Sequence, residues 1–254
     1  MPGFTLRYRF ALSLIRLKNR WSIGRVEGLG NLPPKGVGYI AAGNHRSFAD
    51  GTLVGGTLAC ARNEPVHMVT YEEIFRLPVI GTVLRWTQCI NVGRPGTPES
   101  LVAFLREGRR FICDERQMVG LFPEGRVRLR ESPDLGRGHV GAALLALETG
   151  APVVPVATRG SVRVFDVARM ECPFERRCVT LRVGGSLDFS REKRLYDGGT
   201  ADVRRVVVAG VTTMLMREIA ALTGQSYPHG AKALERLEAL KRGEDGRASR
   251  ARRR

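Results

Sequence analysis

With 43% hydrophobic and 26% charged residues, the 254-residue chain has the composition and length to bury a substantial core, which excludes a disordered polyelectrolyte. Its 41 lysines and arginines against 25 acids give +16 at neutral pH, a balance that suits an anionic surface, membrane lipid or nucleic acid. Five cysteines (Cys60, Cys89, Cys113, Cys172, Cys178) form no CxxC pair and no zinc spacing, so a disulfide scaffold and a cysteine zinc module are excluded and free thiols in a reducing cytosol are expected.

The first predicted element is basic and amphipathic. Residues 1–26 carry six basic residues and no acid. On a helix at about 100° per residue, Arg9, Arg16 and Arg20 form one stripe and Phe10, Leu14, Leu17 and Trp21 another. Phe4, Tyr8, Ala11 and Ile15 widen the apolar arc, and Arg7 and Lys18 lie inside it, where long basic side chains snorkel toward phosphates. We read residues 1–26 as a helix lying in a membrane interface. Arginines interrupt its apolar stretch, which argues against a signal peptide. No run reaches the roughly 18 apolar residues needed to span a bilayer, and VVVAGVTTMLM at 206–216 is too short, so an integral membrane protein is not expected.

Strands and helices then alternate. VGYIAA (37–42) reads as a buried strand, with a helix through about 47–61; PVHMVT (65–70) is a second strand. EEIFRLPVIGTVLRW is helical material interrupted at Pro78, QCINV (88–92) a third strand, and PESLVAFLREGRRF (98–111) a helix with proline at its start. MVGLFP (118–123) is a fourth strand, HVGAALLALETG (139–150) a helix ending at glycine, and PVVPVA (152–157) a fifth strand. TLRVGG (180–185) adds another strand before a long helix at 200–223. This alternation predicts an α/β fold: a largely parallel sheet flanked by helices on both faces, with an N-terminal amphipathic helix. One domain is expected from 27 to 228, followed by a basic, disordered tail over 229–254.

In such sheets function gathers at loops beyond strand ends. After the first strand comes GNHRSFAD, after the fourth FPEGRVR, and after the third NVGRPG. A histidine can take a proton from a hydroxyl when a carboxylate on its other ring nitrogen fixes the tautomer. His45 and Asp50, five apart, can meet only if the histidine sits on the turn and the aspartate in the first turn of the helix. Ser47 and Asp50 also match a capping box, which accounts for the aspartate without catalysis. In FPEGRVR the glycine allows close approach to the backbone, and the arginines supply forked donors for phosphate.

Together these boxes resemble the glycerolipid acyltransferases, specifically the family of 1-acylglycerol-3-phosphate (lysophosphatidic acid) acyltransferases with its HxxxxD motif. NHRSFAD matches the first motif at Asn44, His45, Ser47 and Asp50; CINVGR the second at Arg94. LFPEG matches the third at Phe122, Pro123, Glu124 and Gly125, and GAPVVPVA the fourth around Pro155. The matches run in the family's order over roughly residues 26–185. Two departures touch the acceptor side: Arg126, Val127 and Arg128 follow Gly125 where the family commonly has threonine, arginine and serine, and TYEEIF (70–75) lacks a frequent lysine.

The resemblance implies transfer of a fatty acyl group from acyl-CoA or acyl carrier protein to the hydroxyl of a lysophospholipid, with 1-acylglycerol-3-phosphate giving phosphatidic acid. It implies His45 as general base held by Asp50, no covalent acyl-enzyme, no metal and no cofactor beyond the thioester co-substrate. Ser47 is then a helix cap, and no GxSxG elbow is present. Asn44, Arg94, Phe122, Pro123, Glu124, Gly125, Arg126 and Arg128 are the expected substrate-binding residues. A peripheral position on the cytoplasmic face of an anionic membrane is implied too. The alternatives are another acceptor, such as lyso-ornithine lipid or a glycolipid, or a non-catalytic protein that binds lipid or nucleic acid. Nucleic acid is not expected as a partner, since the basic residues sit at the termini without RNP-like aromatics or a Cys/His finger.

Overall fold

A computed structural model describes residues 5–94, 97–128 and 132–251. Phe4 and the last three arginines of the tail lie outside the described residues.

Seven strands form one sheet in the order β1-β7-β6-β2-β5-β3-β4. Its centre is β2 (Tyr39–Gly43), flanked by β5 (Met118–Leu121) and β6 (Val153–Arg159). β3 (Val66–Thr70) and the two-residue β4 (Ile90–Asn91) follow on one side, all parallel. On the other, β7 (Val179–Val183) pairs antiparallel with β6, and β1 (Ile23–Glu27) parallel with β7. The largely parallel sheet read from the sequence is therefore present. The expected five-residue strand at 88–92 is shorter because Gln88 takes a left-handed turn, φ 53°, out of the preceding helix.

Alternation along β2 sorts the core. Ile40 and Ala42 face one side, with Val119, Leu121, Leu145 and Leu215; Tyr39 and Ala41 face the other, with Leu58, Val154, Val156 and Leu181. The first face is covered by α6 (Gly141–Thr149) and α8 (Ala201–Thr223), with α5 (Pro98–Arg109) beside α6. α8 is long and apolar enough to cross a membrane by composition, but 61% of that window is buried, chiefly against β6 and neighbouring helices. The second face is covered by α2 (Asp50–Arg62), on which α1 (Leu6–Ser22) lies. The small residues of α2 permit this, since a Cβ on Gly56 would sit 2.3 Å from Ile15 Cγ2.

Pro78 starts a helix rather than interrupting one. α3 (Glu72–Phe75) ends, Leu77 is extended, and proline takes the first turn of α4 (Pro78–Trp86), where its missing N–H has no intrahelical acceptor to lose. Both ends of the chain differ from expectation. The N-terminal helix ends at Ser22, because the next five residues join the sheet through β7. The tail at 229–254, expected to be disordered, instead contains α9 (Ala231–Ala251), packed on α8. Leu237 is fully buried against Gly210, and Lys241 pairs with Glu192 on α7 (Ser190–Asp197) at 2.6 Å. Leu234, Leu237 and Leu240 carry that helical spacing beneath the charge. The folded unit is thus wider than 27–228 on both sides.

α1 divides its apolar residues between two faces. Tyr8 and Ala11 are buried, and the Tyr8 hydroxyl donates to Val66 O (3.1 Å) and accepts from Val66 N–H (2.8 Å). Leu6, Phe10, Leu14, Leu17 and Trp21, spaced four, four, three and four apart, remain exposed. Lys18, expected to reach outward to phosphates, turns inward instead and donates to Thr52 Oγ1.

Candidate active site

The parallel strands end at one edge, and the turn after β2 carries His45 there. A carboxylate accepts only, so the 3.1 Å contact between His45 Nδ1 and Asp50 Oδ2 places the proton on Nδ1. In the neutral imidazole the free acceptor is then Nε2, and the side chain is 17% exposed. Asp50 is fully buried and fully bonded: Oδ2 also accepts from the backbone N–H groups of Arg46 and Ser47 at 2.7 Å each, and Oδ1 from the Thr158 hydroxyl at 3.0 Å. Four donors and the positive end of α2 hold this carboxylate in one orientation.

The pair meets across a loop-to-helix junction, as its spacing requires. Half of the capping box is also there, since the Asp50 carboxylate accepts Ser47 N–H. The other half is not. Ser47 was expected to cap α2, but Ala49 is the cap residue; Ser47 Oγ accepts from Ala49 N–H (3.1 Å) and donates to Phe165 O (2.7 Å). With its proton on a carbonyl, this hydroxyl is tied into the fold.

Glu124 joins the two loops. It is buried; Oε1 accepts His45 N–H at 3.2 Å and Oε2 accepts Gly136 N–H at 2.8 Å. Arg128 N–H donates to His45 O at 2.9 Å, and its Nε stands 3.8 Å from Glu124 Oε2. Phe122 stacks on the His45 ring, centroids 4.2 Å apart and planes 13° from parallel, supporting the imidazole from one side. Pro123 is buried and its carbonyl accepts His139 N–H at 2.8 Å. Gly125 needs its left-handed φ of 68°, and a Cβ there would run into the His139 ring at 2.8 Å.

The remaining expected residues divide. Asn44, expected to bind substrate, is buried with both amide groups engaged: Nδ2 donates to Thr158 O (2.9 Å) and Oδ1 accepts Thr158 N–H (2.8 Å). It braces β2 to β6 beneath Asp50. Arg126 is exposed and, among the described residues, has no hydrogen-bond or ion-pair partner. Arg94 is exposed beyond β4, on the same sheet edge but separated from β2 by β5 and β3. Arg130 lies outside the described residues.

Thr158, Gly136 and Phe165 were not foreseen. Thr158 closes an apolar strand and bonds Asp50 from 108 residues away; only its hydroxyl at a strand end hinted at a role. Beneath the site, Asn19 Nδ2 donates to Thr52 O at 2.9 Å, alongside the Lys18 bond to the same residue. Burial in this seam lowers Lys18 to about 8, partly opposed by the negative charge of Asp50.

The chain is similar to several known proteins. A family model described as Acyltransferase matches residues 24–159, more than half of the chain, and covers both loops. Chloroplastic 1-acyl-sn-glycerol-3-phosphate acyltransferases of Brassica napus and Arabidopsis thaliana are 29% and 28% identical over 141 residues, 55% of this chain. The chain spans 38% and 37% of their lengths. The crystal structure of the 1-acyl-sn-glycerophosphate (LPA) acyltransferase PlsC from Thermotoga maritima shares the fold, with a TM-score of 0.56 at 20% identity over 80% of this chain and 79% of that one. On the extent of the family match, with the His45–Asp50 pair inside it, the chain belongs to the acyltransferase family.

Proposed function

We propose that the protein is an O-acyltransferase that moves a fatty acyl group from an acyl thioester to the hydroxyl of a lysophospholipid, 1-acylglycerol-3-phosphate giving phosphatidic acid. The observation that carries this reading is His45 with Nδ1 held by a buried carboxylate and Nε2 at the exposed strand edge. Nε2 takes the acceptor hydroxyl proton as the oxygen attacks the thioester carbonyl. Asp50 stabilises the imidazolium so formed. The tetrahedral intermediate collapses with loss of thiolate, which recovers that proton from His45. The ester forms, the thioester breaks, and no acyl-enzyme intervenes.

On the acceptor side, Arg126 is the better phosphate ligand of the two arginines after Gly125. Its guanidinium has no partner among the described residues, whereas Arg128 holds the Glu124 loop against His45. Arg94 is a second phosphate candidate from the next loop. Glu124 acts by positioning His45, since both its oxygens accept backbone N–H groups.

The exposed stripe of α1 supports a peripheral membrane position, which we place on the cytoplasmic face. Leu6, Phe10, Leu14, Leu17 and Trp21 continue into Val79 and Ile80 of α4 through the edge contact of Phe10 with Trp86, 6.0 Å between centroids. Phe48, exposed three residues from His45, adds an apolar group at the catalytic loop. Such a stripe inserts among acyl chains while Arg9, Arg16 and Arg20 meet anionic headgroups. Both lipid substrates then reach His45 without leaving the bilayer.

Purified protein given a long-chain acyl thioester and a panel of lysolipids tests the reading through release of free thiol. Lysophosphatidic acid is expected to be the best acceptor. Preference for a phosphate-free lysolipid would overturn the acceptor assignment, and thiol release with no acceptor would overturn the transfer itself.

A further inference from the structure

The chain leaves the sheet between β6 and β7, and residues 160–178 run past the catalytic turn to the end of α1. This excursion is held at several points. Val164 and Cys178 are buried in one cluster with Leu53 of α2. Phe165 O accepts the Ser47 hydroxyl at 2.7 Å, and the Phe165 ring lies 5.8 Å from that of Phe48. Farther along, Phe174 O accepts Trp21 Nε1–H at 3.0 Å, and Arg177 N–H donates to Trp21 O at 2.8 Å. The segment therefore ties the turn bearing His45 to the last turn of α1.

Its middle is ordered yet turned outward. Asp166 and Glu171 exchange two backbone hydrogen bonds, 2.8 and 3.1 Å, and the Asp166 carboxylate accepts Ala168 N–H at 2.9 Å. That closes a tight turn over 167–170 with Met170 at its tip, 69% exposed. Phe174 remains 39% exposed even though its ring stacks on Trp21, centroids 6.4 Å apart and planes 8° from parallel. Met170 and Phe174 both hold left-handed backbone, φ 54° and 49°, a conformation costly for residues with a Cβ. Burial in the core does not offset that cost for Met170.

The charges suit an anionic lipid surface. Four arginines of the segment face three acids, and two of those acids are engaged, Asp166 by Arg169 (3.9 Å) and Glu175 by Arg163 (3.2 Å). Arg176 stands over the Trp21 ring, 5.5 Å from its centroid, a cation at the border of an apolar patch. That patch continues the exposed stripe of α1, since Trp21 belongs to both, and it reaches Phe48 by way of Phe165.

We propose that residues 165–177 form a second lipid-contacting element, seated on the bilayer beside α1 and setting the His45 turn against the membrane surface. The proposal rests on the acyl-transfer reading and deepens it by naming the surface across which the site meets its lipid substrates. Continuity selects the bilayer as occupant: a patch that shares Trp21 with the α1 stripe lies on whatever that stripe lies on. The Ser47–Phe165 bond then fixes where His45 stands relative to that plane.

Met170→Asn/Phe174→Asn tests this in the full chain. Asparagine tolerates left-handed backbone, so the fold and its melting temperature should hold. Co-sedimentation with vesicles of phosphatidylcholine and phosphatidylglycerol is expected to fall at least about tenfold, for two large apolar side chains no longer inserted. Thiol release with the acceptor in those vesicles should fall with binding, whereas release with short-chain, monomeric substrates should stay within about twofold of wild type. Unchanged vesicle binding by the folded variant would overturn the proposal and leave the patch to a protein partner. So would equal losses on vesicles and on monomeric substrates, which would make these side chains supports of the fold around His45. If vesicle binding falls as expected but the wild type transfers no acyl group to any lysolipid, the lipid contact stands and the acyl-transfer reading falls.

Discussion

Asp50→Asn separates the charge of the aspartate from its shape. The amide oxygen can take the place of Oδ2, accepting from His45 Nδ1–H and from the N–H groups of Arg46 and Ser47. The amide nitrogen then faces Thr158, whose hydroxyl can rotate from donor to acceptor. Geometry and tautomer survive, and the negative charge opposite the transition-state imidazolium is lost. At 3.1 Å and an effective dielectric near 20, that charge is worth about 5 kcal/mol at most. The backbone N–H groups on Oδ2 already draw on the same charge, so the expected fall in kcat is about 10²–10⁴. Continuous detection of thiol release measures it, with thermal melting as the control for folding. KM for both substrates should change little, because the interaction strengthens only in the transition state. An enzyme within about threefold of wild-type kcat, still folded, would refute the role given to Asp50.

Two further predictions follow from α1. Leu14→Glu/Leu17→Glu alters residues that are 52% and 70% exposed, so the fold should hold while vesicle co-sedimentation drops at least about tenfold, given roughly 1.5–3 kcal/mol per buried leucine; unchanged sedimentation would mean this stripe is not the membrane face. Lys18, lowered from 10.5 to about 8, is charged in both folded and unfolded chains below pH 8, where its burial penalty is fully present. Between about 8 and 10.5 the unfolded chain binds more protons, so stability due to this residue rises with pH. Lys18→Met should therefore gain on the order of 1–3 kcal/mol relative to wild type at pH 7, less its lost bond to Thr52, and that advantage should shrink toward pH 10. A wild-type-minus-variant stability difference independent of pH would refute the burial cost.

Much of the sheet was legible because local pattern and burial agree in it. YIAAG, MVGL and VVPVATR are apolar on both faces, as strands buried between two helical layers must be. β1 was not legible: IGRVE is polar at an edge and becomes a strand only by pairing with β7, more than 150 residues away. α9 was hidden beneath charge, its three leucines outvoted by lysines and arginines. At the site, His45, Asp50 and Glu124 were visible because histidine and carboxylates at strand ends have a restricted repertoire. The bracing role of Asn44 was not legible, since a buried amide and a ligand-binding amide look alike until its partner, Thr158, is placed. Thr158 directly follows the GAPVVPVA stretch, but nothing local marks it as a partner of Asp50, 108 residues away. Only the pairing of β6 with β2 brings it to the carboxylate.

His45 is the residue on which the proposed chemistry turns, and His45→Gln removes its basic nitrogen while keeping a polar side chain of similar reach. Thiol release from a long-chain acyl-CoA with lysophosphatidic acid should fall about 10²–10⁴-fold in that variant, with vesicle binding and melting temperature near wild type. Full activity in folded His45→Gln would contradict general-base catalysis at this site.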